Sequence, residues 1–183
     1  MGGLDHLWAG WRSEFVSGAT EANAEMKERA EAQTGAVQDC VFCAILASGL
    51  PDDDVHVVWR HPAGRVVVIL NAYPYTSGHL MAMPVRHTSE MEDLGADEAG
   101  DLWEAMACAV RALKAAYRPE GINVGANLGR AAGAGVPGHF HMHVLGRWSG
   151  DTNFMTAVAD ARVLPEPLST SAAKLRAAWP RGA

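Results

Sequence analysis

The amino-acid sequence predicts an α+β fold: a five-stranded antiparallel sheet, one long helix packed on one of its faces, and helical extensions at both ends. Two observations carry that expectation. Short apolar, β-branched runs bounded by Pro, Gly and Asn recur along the chain, and residues 97–118 place apolar side chains at helical spacing. Their order is a hairpin, a strand, the long helix and two further strands, which suits a sheet with a helix on one side.

The hairpin is Val55-His56-Val57-Val58-Trp59-Arg60 joined through His61-Pro62-Ala63-Gly64 to Arg65-Val66-Val67-Val68-Ile69-Leu70. Asn71 ends the second run, Tyr73-Pro74-Tyr75 and Ser77-Gly78 make a turn, and residues 79–84 form the third strand. In the helix, Leu102, Met106, Val110, Leu113 and Tyr117 share a face, Cys108 packs as a small hydrophobe, and Pro119 and Gly121 stop the element. Residues 122–127 and 139–147 are the fourth and fifth strands. A tail from Ser169 to Trp179 reads as a short capped helix with Leu168, Leu175 and Trp179 on one side.

At the other end, Leu7, Trp8, Trp11 and Phe15 fall near helical spacing, as a packing anchor would. Residues 20–35 have helix-forming composition but few large apolar side chains, so they read as an exposed helix or a link. The expected organisation is an arm and linker over 1–35, one domain over 36–150, and a C-terminal loop and helix over 151–183.

A chain of 183 residues, 49% of them hydrophobic, can bury one core, and a net charge of −6 argues against broad binding to nucleic-acid polymers. No apolar run approaches a membrane span or a signal-peptide core, and three cysteines suit a reduced compartment, so a cytoplasmic protein without membrane partners is expected.

The chemistry concentrates in Gly138-His139-Phe140-His141-Met142-His143-Val144-Leu145, where histidine and apolar residues alternate. A period of two puts His139, His141 and His143 on one face of a strand, with Phe140, Met142 and Val144 on the other, and neighbouring histidines roughly 6.5 to 7 Å apart. Such a row can be a solvent-facing strand, a metal site through His-x-His, or a nucleophilic centre in which neutral imidazole attacks phosphorus. Upstream, Asn127-Leu128-Gly129-Arg130-Ala131-Ala132-Gly133-Ala134-Gly135-Val136-Pro137-Gly138 is rich enough in glycine to wrap an anion with backbone amides. It matches neither a P-loop nor a dinucleotide fingerprint. Cys40-Val41-Phe42-Cys43 is ambiguous among redox activity, zinc binding and no role at all.

At these residues the chain resembles the histidine triad (HIT) family, whose signature of three histidines alternating with apolar residues is matched throughout by His139 to Leu145. The resemblance is closest to the dinucleoside tetraphosphate phosphorylase branch. It extends to Asp5-His6-Leu7-Trp8-Ala9-Gly10-Trp11-Arg12, to residues 70–80 and to residues 147–155. It implies a HIT-like fold and an enzyme, a nucleotidyl hydrolase or transferase, that cleaves dinucleoside polyphosphates at the α-phosphate. His141 would be the nucleophile, with His143 and His139 beside it, and phosphate or water would accept the nucleotidyl group. Asn71 would meet ribose, and Asn127, Gly133, Gly135 and Val136 the phosphates. No cofactor would be needed for the chemistry. Cys40, Cys43, His87 and His139 would form a structural zinc site, and the partners would be adenosine nucleotides and a second copy of the chain. The residues leave two other classes open, a non-catalytic nucleotide-binding protein and a metal-dependent phosphohydrolase using the histidine row as ligands. The chain departs from the pattern at Gly135 and Val136, where relatives carry Gln followed by Ser or Thr, and at Gly146 and Gly10, where the phosphorylase-like branch carries Pro. His79 reads either as a hydrogen-bonder behind the active residues or as a satisfied buried histidine.

Overall fold

The computed structural model describes residues 40–151 and 166–182. The readings of residues 4–16 and 20–35, and of the loop from residue 152 to 155, lie outside the described residues.

Helix α1 (Val41–Ala47) precedes strands β1 (Val57–Arg60), β2 (Val66–Leu70) and β3 (Leu80–Pro84); helix α2 (Ala96–Tyr117) follows, then β4 (Gly121–Gly125), β5 (Met142–Arg147) and α3 (Leu168–Ala177). The five strands form one antiparallel sheet in the order β1-β2-β3-β5-β4. The fold is therefore the predicted α+β arrangement.

Each face of the sheet has its own apolar cluster, because β2 and β3 are buried on both sides. On one face Val66, Val68, Leu70, Leu80, Ala82, Phe140 and Val144 pack against Leu102, Met106, Ala109 and Leu113 of α2, and Leu175 of α3 joins them. Burying each of the large side chains contributes about 1.5–3 kcal/mol. On the other face Val67, Ile69, Met81 and Met83 meet Cys40 and Phe42. The histidines emerge on this second face, since Met81 pairs with His143 in the β3–β5 ladder.

Helix α2 starts after Gly95, whose N–H donates to Glu98, and Glu98 in turn takes a two-pronged bond from Arg86. It ends at Arg118, which adopts the left-handed conformation (φ 49°) and returns its N–H to Lys114 O, before Pro119 forbids continuation.

Three local expectations change. Cys40-Val41-Phe42-Cys43, read as a motif without secondary structure, lies at the start of α1 (Val41–Ala47), a helix too short for its period to stand out. The first strand begins at Val57 because His56 sits at φ 56°, where the chain turns. The fifth strand begins at Met142: Phe140 N–H is taken by Thr88 O at 2.6 Å, beyond the end of β3, so residues 139–141 stay outside the ladder. Among the described residues no helix is long and apolar enough to cross a membrane.

Candidate active site and metal-ligating cluster

The alternation of the histidine row is preserved, but the three rings do different things. His139 (1% exposed) and His141 (5%) are buried. Burial disfavours the imidazolium and holds all three below the usual histidine range, with His143 pushed down to about 4. All three are neutral at pH 7.

His141 Nδ1 lies 2.8 Å from the carbonyl oxygen of His139. A carbonyl only accepts, so Nδ1 carries the proton and Nε2 keeps its lone pair. Phe42 of α1 meets this ring edge-on, centroids 5.2 Å apart, and His143 meets it at 4.9 Å. His143 Nδ1 contacts His79 Nε2 at 3.0 Å. His79, fully buried, also receives Tyr75 N–H on Nδ1 at 3.2 Å and faces Asn71 Nδ2 at 3.4 Å. Both readings of His79 hold, since it is buried and hydrogen-bonded; its partner His143, 64 residues away, was not legible in the sequence, and the register of β3 against β5 is the signal that would have found it.

Asn71 closes β2 as the resemblance expects, but both its polar atoms are engaged internally, Oδ1 with Tyr73 N–H at 2.9 Å and Nδ2 with His79. In the glycine loop, Gly129 (φ 77°) and Gly133 (φ 93°) take left-handed conformations, and Asn127 Nδ2 donates to Gly133 O at 3.4 Å. Gly135 has open space where a side chain would be, and Val136 packs against the cluster around Phe42. At Gly146, a Cβ would lie 2.8 Å from the Trp148 indole and 3.1 Å from Pro119 Cβ, so the position is closed to a side chain unless Trp148 moves.

His139 turns away from the other two. Its Nε2–H donates to Pro84 O at 2.9 Å, so Nδ1 presents a lone pair to the thiols of Cys40 (3.4 Å) and Cys43 (3.6 Å), and His87 Nδ1 lies 3.3 Å from Cys43 Sγ. The ligand atoms of Cys40, Cys43, His87 and His139 all lie within 4.8 Å of one another. Tetrahedral zinc with bonds of about 2.3 Å to sulfur and 2.0–2.1 Å to nitrogen needs sulfur–nitrogen edges of about 3.5 Å, which the three contacts match. A backbone carbonyl on the far nitrogen of a ligating histidine is the orientation metal sites use. The four residues fit a zinc ion, and they are the group capable of holding a metal among the described residues; His141 and His143 stand outside it.

A buried histidine row behind a glycine loop on a five-stranded antiparallel sheet is the arrangement of the HIT domain, and the model of that domain matches residues 55–150; the chain belongs to the HIT family. Within it, the chain is 37% identical over 179 residues to AP-4-A phosphorylase of Mycobacterium tuberculosis, covering 97% of this chain and 86% of the relative, and is thus a HIT-family enzyme related to that phosphorylase. Among solved structures, a Zn-bound histidine triad family protein from Mycobacterium smegmatis superposes with a TM-score of 0.61 at 29% identity, over 76% of this chain and 91% of that one. A HIT family member from Bacillus subtilis superposes with a TM-score of 0.55 at 27% identity, over 62% and 76% of the two chains.

Proposed function

We propose that the protein cleaves dinucleoside polyphosphates of the diadenosine tetraphosphate type at the α-phosphate through a covalent nucleotidyl-His141 intermediate, with phosphate or water as acceptor. The observation that carries the reading is the His141 Nδ1–H bond to His139 O, which leaves Nε2 as a neutral, aimed nucleophile. A neutral nitrogen approaches a polyphosphate without the repulsion an anion would meet. As the bond to phosphorus forms, charge grows on the phosphate oxygens, where His143 and the loop amides near Gly133 and Gly135 stabilise it. Phosphate then releases a nucleoside diphosphate and water a monophosphate. The related AP-4-A phosphorylase supports phosphate as the acceptor. Incubation with diadenosine tetraphosphate, with and without inorganic phosphate, tests this: ADP plus ATP appear when phosphate is present, and AMP plus ATP without ADP in both cases assigns hydrolysis.

In this reading Cys40, Cys43, His87 and His139 hold a structural zinc ion that joins α1 to the residues before β5. Zinc would supply cross-linking alone, with no part in the reaction. The protein acts in the cytoplasm on small nucleotides, as a homodimer. The dimer is supported by two apolar features: among the described residues no strand pairs with the outer edge of β4, where Val124 is 48% exposed, and α2 carries Trp103 72% exposed. The other edge, β1, is covered by α3, whose Arg176 Nε donates to Val57 O at 3.0 Å. Light scattering at micromolar concentration is expected to give twice the chain mass; a monomer with full activity would refute the dimer.

A further inference from the structure

We propose that Cys43 and Cys40 are a site of reversible oxidation by hydroperoxides, closing to a disulfide that releases the zinc ion and unfastens α1 from His87 and His139. The inference rests on the reading of Cys40, Cys43, His87 and His139 as a zinc site and adds a covalent modification to it.

The four side chains are unevenly exposed. Cys40 and His139 are buried, whereas His87 is exposed and Cys43 partly so. A small peroxide therefore meets the Cys43 sulfur first. Its resolving partner is at hand, because Ala44 N–H returns to Cys40 O at 3.0 Å as α1 begins, which sets Cys40 and Cys43 one helical turn apart with their sulfurs within 4.8 Å. Such a turn puts Cα atoms about 5 Å from each other, inside the range of about 4.4–6.8 Å that a disulfide spans. The third cysteine cannot compete. Cys108 is fully buried in α2, which packs on the opposite face of the sheet, and Arg111 Nη2 donates to its sulfur at 3.0 Å.

The chemistry balances on two sulfurs and one peroxide. The Cys43 thiolate attacks an oxygen of hydrogen peroxide; a sulfur–oxygen bond forms, the oxygen–oxygen bond breaks, and hydroxide leaves with its electron pair, giving a sulfenic acid. The Cys40 thiolate then attacks the Cys43 sulfur. The sulfur–sulfur bond forms, the sulfur–oxygen bond breaks and a second hydroxide leaves. The two sulfurs together lose two electrons, and the peroxide is reduced to two hydroxides that solvent protonates to water. Zinc, when bound, keeps both sulfurs deprotonated, the form in which they react.

A disulfide cannot serve the histidines as the thiols do, since its sulfurs carry neither charge nor proton. His139 Nε2–H is committed to Pro84 O at 2.9 Å, so its bare Nδ1, 3.4 Å from Cys40 Sγ, is left buried without a metal or a donor. His87 Nδ1 loses its partner on Cys43 in the same step. Two imidazoles are half of a tetrahedral set and hold the ion weakly. The ring from Cys40 to Cys43 closes four residues of chain, too short a loop for the new bond to offset the loss.

Zinc-loaded full-length protein treated with hydrogen peroxide should release about one zinc per chain to a chromophoric chelator, in step with a mass loss of two hydrogens and a Cys40–Cys43 link in the peptide map. Its melting temperature should fall by about 8–16 °C, and dithiothreitol with added zinc should restore mass, metal and melting. In Cys40→Ser, where no disulfide can close, dimedone should trap the sulfenic acid on Cys43; in Cys43→Ser, buried Cys40 should be labelled roughly tenfold less. Equal labelling of the two would overturn Cys43 as the point of attack. Zinc retained while Cys43 gains oxygen, or a link through Cys108, overturns the proposal and leaves the zinc reading intact. A protein that takes up no zinc yet forms the disulfide removes the zinc reading, and the release step with it.

Discussion

Removal of zinc should uncouple stability from chemistry. Cys43→Ser replaces a thiolate ligand by a hydroxyl that binds zinc poorly, in a cluster whose sulfur–nitrogen contacts of 3.3, 3.4 and 3.6 Å already match the tetrahedral edge of about 3.5 Å. A site so preorganised stores little strain, so the metal's binding energy passes to the folded state. With free zinc a thousandfold above its dissociation constant, that stabilisation is about 4 kcal/mol. For a chain of this size each kcal/mol moves the melting temperature by about 2–4 °C, so loss of the ion should lower it by about 8–16 °C. Burial and the neighbouring Cys40 push the Cys43 thiol up to about 12 in the absence of metal, so zinc must displace protons and should be lost in acid. The assay is elemental analysis together with thermal melts of wild type and Cys43→Ser, with and without chelator. Wild type should hold about one zinc per chain and lose its advantage on chelation, whereas the chemical step, run on His141, should change far less than stability. Metal-free wild type that melts as high as the loaded protein would refute the zinc site.

Two further outcomes test the scaffold and the charge state. Gly78, at φ 75°, has Tyr117 Cε2 2.7 Å and Leu113 Cδ1 2.9 Å from where a Cβ would stand, so Gly78→Ala combines left-handed strain with overpacking. It should cost about 2–4 kcal/mol in chemical denaturation and disturb the adjacent His79; an unchanged midpoint would contradict the packing. The pH dependence follows from histidines whose folded pKa is depressed. The unfolded chain binds more protons than the folded one between the ordinary value of 6.5 and about 4 for His143, so stability is full above that window, declines as pH falls through it, and is constant below it. At about 1.4 kcal/mol per unit the loss from His143 is at most on the order of 3 kcal/mol; urea melts from pH 7 to pH 4 that show rising stability would contradict buried neutral imidazoles.

Where local pattern and tertiary environment agree, the sequence was legible. The β-branched runs at 66–70 and 80–84 and the apolar stripe from Leu102 to Leu113 became strands and helix because each buries the face its period defines. The Cys40-Val41-Phe42-Cys43 motif, with the His87 and His139 that the resemblance added, marked the residues that the structure gathers into one cluster within 4.8 Å, and the period of the histidine row marked the side chains that share the second face of the sheet. What sequence could not show depends on contacts between distant residues. Thr88 takes the N–H of Phe140 and so delays β5, and His56 bends the chain before β1. Periodicity likewise treats the three histidines as equivalent, although Pro84 O and two thiols divert His139 while His79 claims His143.

The central claim is the covalent role of His141, and His141→Asn tests it most directly. The amide keeps approximate size and polarity but cannot form the phosphorus–nitrogen bond, so turnover of diadenosine tetraphosphate should fall about 10⁴-fold or more. Nucleotide affinity, measured by calorimetry with a non-hydrolysable tetraphosphate, should stay within about threefold, since in the proposed reading the loop amides and His143 would hold the phosphates. A variant that binds equally and turns over at a tenth of the wild-type rate would contradict the nucleophile assignment.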